Sequence, residues 1–362
     1  MKKSNNKLFG VSVIAILFAI GIVFSFNKSD VVINSENIQS SIQTNTTVDG
    51  NLEVHFIDVG QADCILVKNN GNAMLIDAGN NDDGELVRGY LKEQNITRLD
   101  YLIGTHPHED HIGGLDVVIN NYDIGTIIMP AKTTTTKTFE DVVNAIKNRG
   151  LAITKPVVGT RYTLGGAEFT ILAPNKDYGD ELNNYSVGIR LVYGNNSFVF
   201  TGDAEEEAEN DIIATGLELK ADVLKIGHHG SSTSTSSQFL KAVSPKYAVI
   251  TCGKYNDYGH PHKETMKKIS NLEVYRTDEQ GSIVATSDGT NITWNSKKSE
   301  VKPIVNEENK DVKYILNTNS KKFHNANCES VSKMSAKNKA ESSESRSELI
   351  AKGYSPCGIC EP

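Results

Sequence analysis

The sequence predicts an α/β fold in which sheets are covered by helices on their outer faces. Three observations lead there. Strand-forming runs crowd the first half of the main body, strands and helices alternate in the second half, and three of the strands end in histidine or aspartate. Leu52–Val59, Ala62–Lys68 and Ala73–Asp77 are β-rich runs separated by Gly or Asn turns. Glu85–Gln94 has helical spacing, and Asp100–Gly104 is a short strand leading into a histidine-rich stretch. Thr126–Met129 reads as a strand and Thr138–Arg149 as a helix, followed by strands at Ala167–Ala173, Ser186–Tyr193 and Ser197–Thr201. Helix and strand then alternate over Glu205–Thr215, Asp222–Ile226, Ser236–Val243 and Lys246–Cys252. Pro261–Ile269 is helical in pattern, and Glu273–Arg276 and Ser282–Thr286 close the body as strands.

The 362 residues exceed what one typical domain needs. Residues 1–28 form a separate unit: Lys2, Lys3 and Lys7 precede the uncharged run Leu8–Phe26. That run would reach about 28 Å as a helix, close to the hydrocarbon thickness of a bilayer. The cationic end stays cytoplasmic, which puts the rest of the chain outside the cell as a single-pass membrane protein. Secretion after signal cleavage is the alternative, although Phe24-Ser25-Phe26-Asn27 makes a poor small-residue cleavage site. Residues 29–50 read as a flexible stalk, 51–297 as the main domain, 298–312 as a charged linker and 313–362 as a small separate module. A net charge of −8 does not suggest a generic polyanion-binding protein, so any nucleic-acid contact needs a local basic patch or bound metal. Cys64 and Cys252, isolated in apolar runs, read as small buried hydrophobes.

Chemistry concentrates in Thr105-His-Pro-His-Glu-Asp-His-Ile-Gly-Gly114, which packs His106, His108, Asp110 and His111 into six positions. A regular strand would splay alternate side chains to opposite faces, so these groups converge on metal only from an irregular loop. Nitrogen and carboxylate ligands suit zinc, manganese or iron. Two further strands end in kind. Ser197-Phe-Val-Phe-Thr-Gly-Asp203 exposes a carboxylate at a sheet edge, and Asp222-Val-Leu-Lys-Ile-Gly-His-His229 ends in two histidines. A carboxylate such as Asp203 can bridge two cations about 3.5–4 Å apart.

These motifs resemble the metallo-β-lactamase fold superfamily. More narrowly, His55-Phe-Ile-Asp58-Val-Gly-Gln-Ala-Asp63, Leu75-Ile-Asp77-Ala-Gly79, Asn183-Asn-Tyr-Ser186, Thr201-Gly-Asp-Ala204 and His228-His-Gly-Ser231 resemble the extracellular hydrolase domain of ComEC-type DNA-uptake proteins. The resemblance spans about residues 51–290 and implies an αββα sandwich with two divalent metals, zinc or manganese, at one edge. It places His106 and His108 on one metal, Asp110 and His111 on the other, and Asp203 between them. Asp58 and Asp77 would support the ligands, Asp77 by orienting a ligand histidine. His229 is preferred as a ligand over His228, which would contact substrate or donate a proton; His260 is a competing ligand or general acid, and Asp110 a proton acceptor. Asn184, Ser186, Lys225, Ser231 and Ser232 are the candidate substrate contacts. The superfamily's usual histidine between the metal loop and the bridging aspartate is missing, since residues 112–202 contain none. That absence disfavours a β-lactamase.

The implied activity is metal-assisted hydrolysis of DNA or another phosphodiester, beside a separate DNA-uptake channel protein in the same membrane. An esterase or phosphorylcholine esterase acting on cell-wall polymers, and a non-catalytic DNA-binding platform, are the alternatives. In the last module, His324-x3-Cys328 and Cys357-x2-Cys360 fit a structural zinc. The stretch resembles the metal-binding domain of Ada-type DNA repair proteins, with His324 where that pattern usually has cysteine. A Cys357–Cys360 disulfide is the competing reading.

Overall fold

The computed structural model describes residues 50–299, 313–344, 349–350, 352–357 and 360. The expected membrane anchor, the stalk up to residue 49 and most of the 298–312 linker lie outside the described residues. No helix among those described is long and apolar enough to cross a membrane.

The body is built on two sheets. The first has eight strands: β1 (Leu52–Phe56), β2 (Ile65–Asn69), β3 (Asn72–Ile76), β4 (Arg98–Ile103), β5 (Asp123–Ile128), β6 (Ile153–Thr154), β14 (Ile283–Ser287) and β15 (Ile292–Trp294), in the order β15-β14-β1-β2-β3-β4-β5-β6. The second has seven: β7 (Arg161–Leu164), β8 (Ala167–Ile171), β9 (Ile189–Tyr193), β10 (Asn196–Phe200), β11 (Val223–Lys225), β12 (Tyr247–Ile250) and β13 (Glu273–Arg276), in the order β13-β12-β11-β10-β9-β8-β7.

Period-two alternation sorts the side chains into three apolar layers. Val54 and Phe56 of β1, Met74 and Ile76 of β3, and Phe198 and Phe200 of β10 point between the sheets into one cluster. Their neighbours Leu66, Leu75, Leu102 and Ile127 face outward against α1 (Gly84–Glu93), α3 (Leu115–Asn121) and α4 (Lys137–Asn148), through Val87, Leu91, Val118 and Val142. On the other side Val199, Leu224, Ala248 and Val274 meet Ile212 of α5 (Glu206–Ala214) and Phe239 of α6 (Ser237–Val243). Each such side chain, fully buried, contributes about 1.5–3 kcal/mol. The result is a helix–sheet–sheet–helix sandwich.

Strand direction puts the site at one edge. β3, β4 and β5 run parallel, as do β10, β11 and β12, so their C-terminal ends deliver Asp77, the 105–114 stretch, Asp203 and His229 to a common rim. The structure departs from the sequence pattern locally. The strand expected from Ser186 begins only at Ile189, because Val187 N–H donates to the Thr105 carbonyl at 2.9 Å and ties that segment to the metal loop. Strand β7, which pairs with the expected β8 across Gly165 and Gly166, and helix α3 lacked a clear periodic signal.

Candidate metal centre

Asp77 follows β3 with a left-handed backbone (φ 59°) and is fully buried. Its carboxylate accepts the Thr105 N–H at 2.8 Å and the Thr105 hydroxyl at 2.7 Å, and accepts from His111 Nδ1 at 2.8 Å. One carboxylate thus holds the beginning of the loop and the histidine six residues on. The loop is not wholly irregular: His108 is extended, and α2 (Glu109–Ile112) is a single helical turn that lifts Asp110 and His111. The glycines behind it are required by space. A Cβ on Gly113 would sit 2.2 Å from the Asn80 carbonyl carbon, and one on Gly114 2.4 Å from the Ala78 oxygen.

Asp203 leaves the end of β10 through Gly202 (φ 52°), and its N–H donates to Ser186 Oγ at 3.0 Å. After β11, His228 and His229 are both left-handed (φ 50° and 52°), so they do not alternate as strand residues. His229 turns into the interior, where its Nδ1–H donates to the Thr251 carbonyl at 2.9 Å; His228 stays partly exposed.

Four groups therefore converge. His111 Nε2 lies 3.2 Å from Asp203 Oδ2 and 3.7 Å from Asp110 Oδ2, while His229 Nε2 lies 3.5 Å and 3.3 Å from the same two carboxylates. One ligand atom from each falls within 4.8 Å of all the others. His111 Nε2, His229 Nε2 and Asp203 Oδ1 are buried without a hydrogen-bond partner. Both imidazoles have their Nδ1–H engaged, which points the Nε2 lone pairs at the centre. Burial pulls the His111 and His229 imidazolium forms down, but Asp203, with Asp110 and Asp77 at His111 and Asp63 at His229, outweighs it and holds both well above their ordinary values. Burial pushes Asp203 up, and His111 and His229 outweigh it in the opposite sense. Two buried, unpartnered Nε2 atoms facing two carboxylates fit a divalent metal.

The family model described as the metallo-beta-lactamase superfamily matches residues 57–254, more than half of the chain. The chain belongs to the metallo-β-lactamase superfamily. Curated relatives include ComE operon protein 3 of Bacillus subtilis, 32% identical over 251 residues covering 64% of this chain and 32% of the relative. Recombination protein 2 of Haemophilus influenzae is 32% identical over 222 residues, covering 60% of this chain and 26% of that protein. Competence protein ComA of Neisseria gonorrhoeae is 28% identical over 238 residues, covering 62% of this chain and 31% of that protein, so the chain spans about a third or less of the length of the curated relatives it matches. The metallo-beta-lactamase fold protein YhfI of Bacillus subtilis aligns with a TM-score of 0.45 at 16% identity, over 66% of this chain and all of that one.

In this member of the superfamily the remaining expected residues separate into distinct environments. His106 Nε2 and His108 Nδ1 face each other at 2.9 Å, and His106 Nδ1 lies 3.2 Å from Ser186 Oγ. Burial, and then His111, hold His106 well below its ordinary value and therefore neutral. Among the described residues this pair joins no convergent set of three. His228 sits at the rim with Nε2 3.6 Å from Asp203 and Nδ1 3.2 Å from Thr233 Oγ1 and 3.5 Å from Glu205. His260 approaches from the next loop, its ring centroid 5.7 Å from His228, with Nδ1 3.1 Å from Gln61 Nε2. Burial, helped by the imidazoles of His262, His229 and His228, pushes it down to about 3.

Several substrate contacts expected from the sequence are corrected. Lys225 is fully buried and ion-paired with Asp63 at 2.5 Å, out of reach of any substrate. Burial pushes the Asp63 carboxyl up, but Lys225 and His229 outweigh it and keep it ionised well below the usual range. Asp63 lies 3.3 Å from His229 Nδ1, a role that sequence reading missed although the residue closes the Gly60-Gln61-Ala62-Asp63 turn. Asp58 does not support a ligand: its Oδ1 accepts the Gly60 N–H and shapes that turn. Asn184 is buried and caps the Glu205 N–H, Ser186 positions Asp203 and His106, and Ser231 bonds Thr233; only Ser232 is exposed, beside His262.

In the C-terminal module, strands Tyr314–Asn317, Lys322–Asn325, Lys339–Ser342 and Ser355–Pro356 form a small sheet. His324, Cys328, Cys357 and Cys360 bring four ligand atoms within 4.8 Å of one another, and neither ring nitrogen of His324 has a partner. None of the three cysteines is in a disulfide; the Cys328 and Cys357 sulfurs are 4.0 Å apart, against about 2 Å for a bond. The donor set fits a tetrahedral zinc.

Lys225→Met leaves Asp63 buried without its cation, so a urea titration is expected to show about 3–5 kcal/mol less stability. A change within about 0.5 kcal/mol would fit a surface contact instead. In equilibrium dialysis against zinc, His324→Ala is expected to remove about one equivalent and Asp203→Asn a different one, so that the double variant loses both. Equal losses that fail to add would contradict two independent centres.

Proposed function

We propose that the chain is a metal-dependent phosphodiesterase whose substrate is DNA. The observation that carries this reading is the convergence of Asp110, His111, Asp203 and His229, the last three buried with an inner atom left unpartnered, next to a partly exposed imidazole at the rim. A divalent cation held by these four residues supplies positive charge that acidifies water and offsets the negative charge of a phosphodiester. The chain's own groups do the rest. Asp110, the more exposed of the two carboxylates, accepts a proton from the attacking water. His228 is oriented through Nδ1 by Thr233 and Glu205, and its Nε2 faces the centre, where it protonates the leaving oxygen. The imidazole of His228 holds Glu205 below the ordinary carboxylate range, keeping that orienting charge in place.

DNA as the substrate is supported by the relatives named for competence and recombination. In this reading the chain works outside the cell, held by the apolar run at residues 8–26 and beside a separate uptake channel. Support for the location is the placement of Lys2, Lys3 and Lys7 ahead of that run.

The test is turnover of bis-p-nitrophenyl phosphate and of DNA with manganese or zinc, against EDTA. His228→Ala is expected to lower kcat by about 10²–10⁴-fold with bound metal unchanged. Loss of metal alongside activity would make His228 a ligand instead. Absence of metal-dependent turnover of both substrates would sink the phosphodiesterase reading.

A further inference from the structure

We infer that Tyr258 is a stacking platform for an unpaired nucleobase of the polynucleotide strand held at the metal centre. The inference rests on the phosphodiesterase reading for its substrate and adds that the substrate is single-stranded at this point.

Among the described residues five large apolar or aromatic side chains are exposed, and the two aromatic ones, Tyr255 (78% exposed) and Tyr258 (63%), share the loop between β12 and α7 (Lys263–Lys268). Tyr258 is the outer member of a series of near-parallel rings. It stacks on His260 at 5.6 Å between centroids and 23° between planes, and His260 stacks on His229 at 6.3 Å and 22°. The series therefore runs from solvent to a residue of the convergent metal set, with the free face of Tyr258 at its outer end. A planar group laid on that face would continue the stack.

The platform is built in advance of any ligand. Asn256 donates to the Gly253 carbonyl at 2.9 Å and to the His260 carbonyl at 2.7 Å, and accepts the His260 N–H at 2.9 Å. The Nε2–H of His262 donates to the Tyr258 carbonyl at 3.1 Å, while its Nδ1 accepts the Ser232 N–H at 2.9 Å. Those bonds fix the loop on both sides of the tyrosine, so little ordering entropy opposes binding. Lys254 Nζ lies 5.1 Å from the Tyr255 ring centroid and is offset by Asp257 on the same loop. With the loop's charges balanced, its contribution is the ring face, which takes any base but needs that base unpaired.

The experiment measures anisotropy of a fluorescein-labelled phosphorothioate oligothymidylate, which resists hydrolysis, bound to the full-length chain in detergent. Tyr258→Ala is expected to weaken binding roughly 5- to 150-fold, Tyr258→Phe by no more than about twofold, and the duplex with oligoadenylate to bind more weakly than the single strand. The inference is overturned if Tyr258→Ala binds like the wild type, if Tyr258→Phe loses as much as Tyr258→Ala, or if duplex and single strand bind equally. It is overturned as well if the wild type does not bind the oligonucleotide, or if chitohexaose binds with the same dependence on Tyr258. The parent reading is judged separately, by metal-dependent turnover of the small diester.

Discussion

The buried carboxylate of Asp77 is the constraint on which the site depends. A carboxylate without solvent is costly, and burial does push this one up from its ordinary value. It is retained because three donors from one loop, the Thr105 N–H, the Thr105 hydroxyl and His111 Nδ1–H, satisfy it together. Those bonds can form only if β3 and β4 are parallel neighbours ending at the same level, which their register of Ile76 against Ile103 provides. The loop's position, the orientation of His111 and the direction of its Nε2 lone pair all follow from that pairing.

A second buried carboxylate serves the opposite sheet. Asp63 faces His229 and Thr251 from β1's side of the molecule and is balanced by Lys225, so the two sheets are joined beneath the metal centre by an ion pair with no access to water. Buried pairs of this kind seldom add net stability, but removing one partner is expensive. Their value here is placement: His229 is held from both sheets while its inner nitrogen is left unpartnered.

Much of the architecture was readable because it depends on short-range pattern. Alternation along Leu52–Phe56 and Asn196–Phe200 marks strands with one face toward the partner sheet. The residues of the convergent cluster were visible because histidine and aspartate at strand ends are chemically conspicuous. What escaped depends on contacts between distant segments. Lys225 beside Gly227-His228-His229 looks like a phosphate contact until Asp63 is seen opposite it. Asn184 and Ser186 read as substrate residues, yet they spend their polar atoms on Glu205, Asp203 and His106. The loop's single turn of helix at Glu109–Ile112 was likewise invisible, being too short to carry a period.

The central claim is that cation binding centres on His111, His229, Asp110 and Asp203 rather than on the adjacent pair His106 and His108. Anomalous diffraction from crystals grown with zinc or manganese locates the ion directly. The account predicts a peak within about 2.0–2.2 Å of His111 Nε2, His229 Nε2 and a carboxylate oxygen of Asp203. A peak on His106 and His108 alone, with none between His111 and His229, would contradict it.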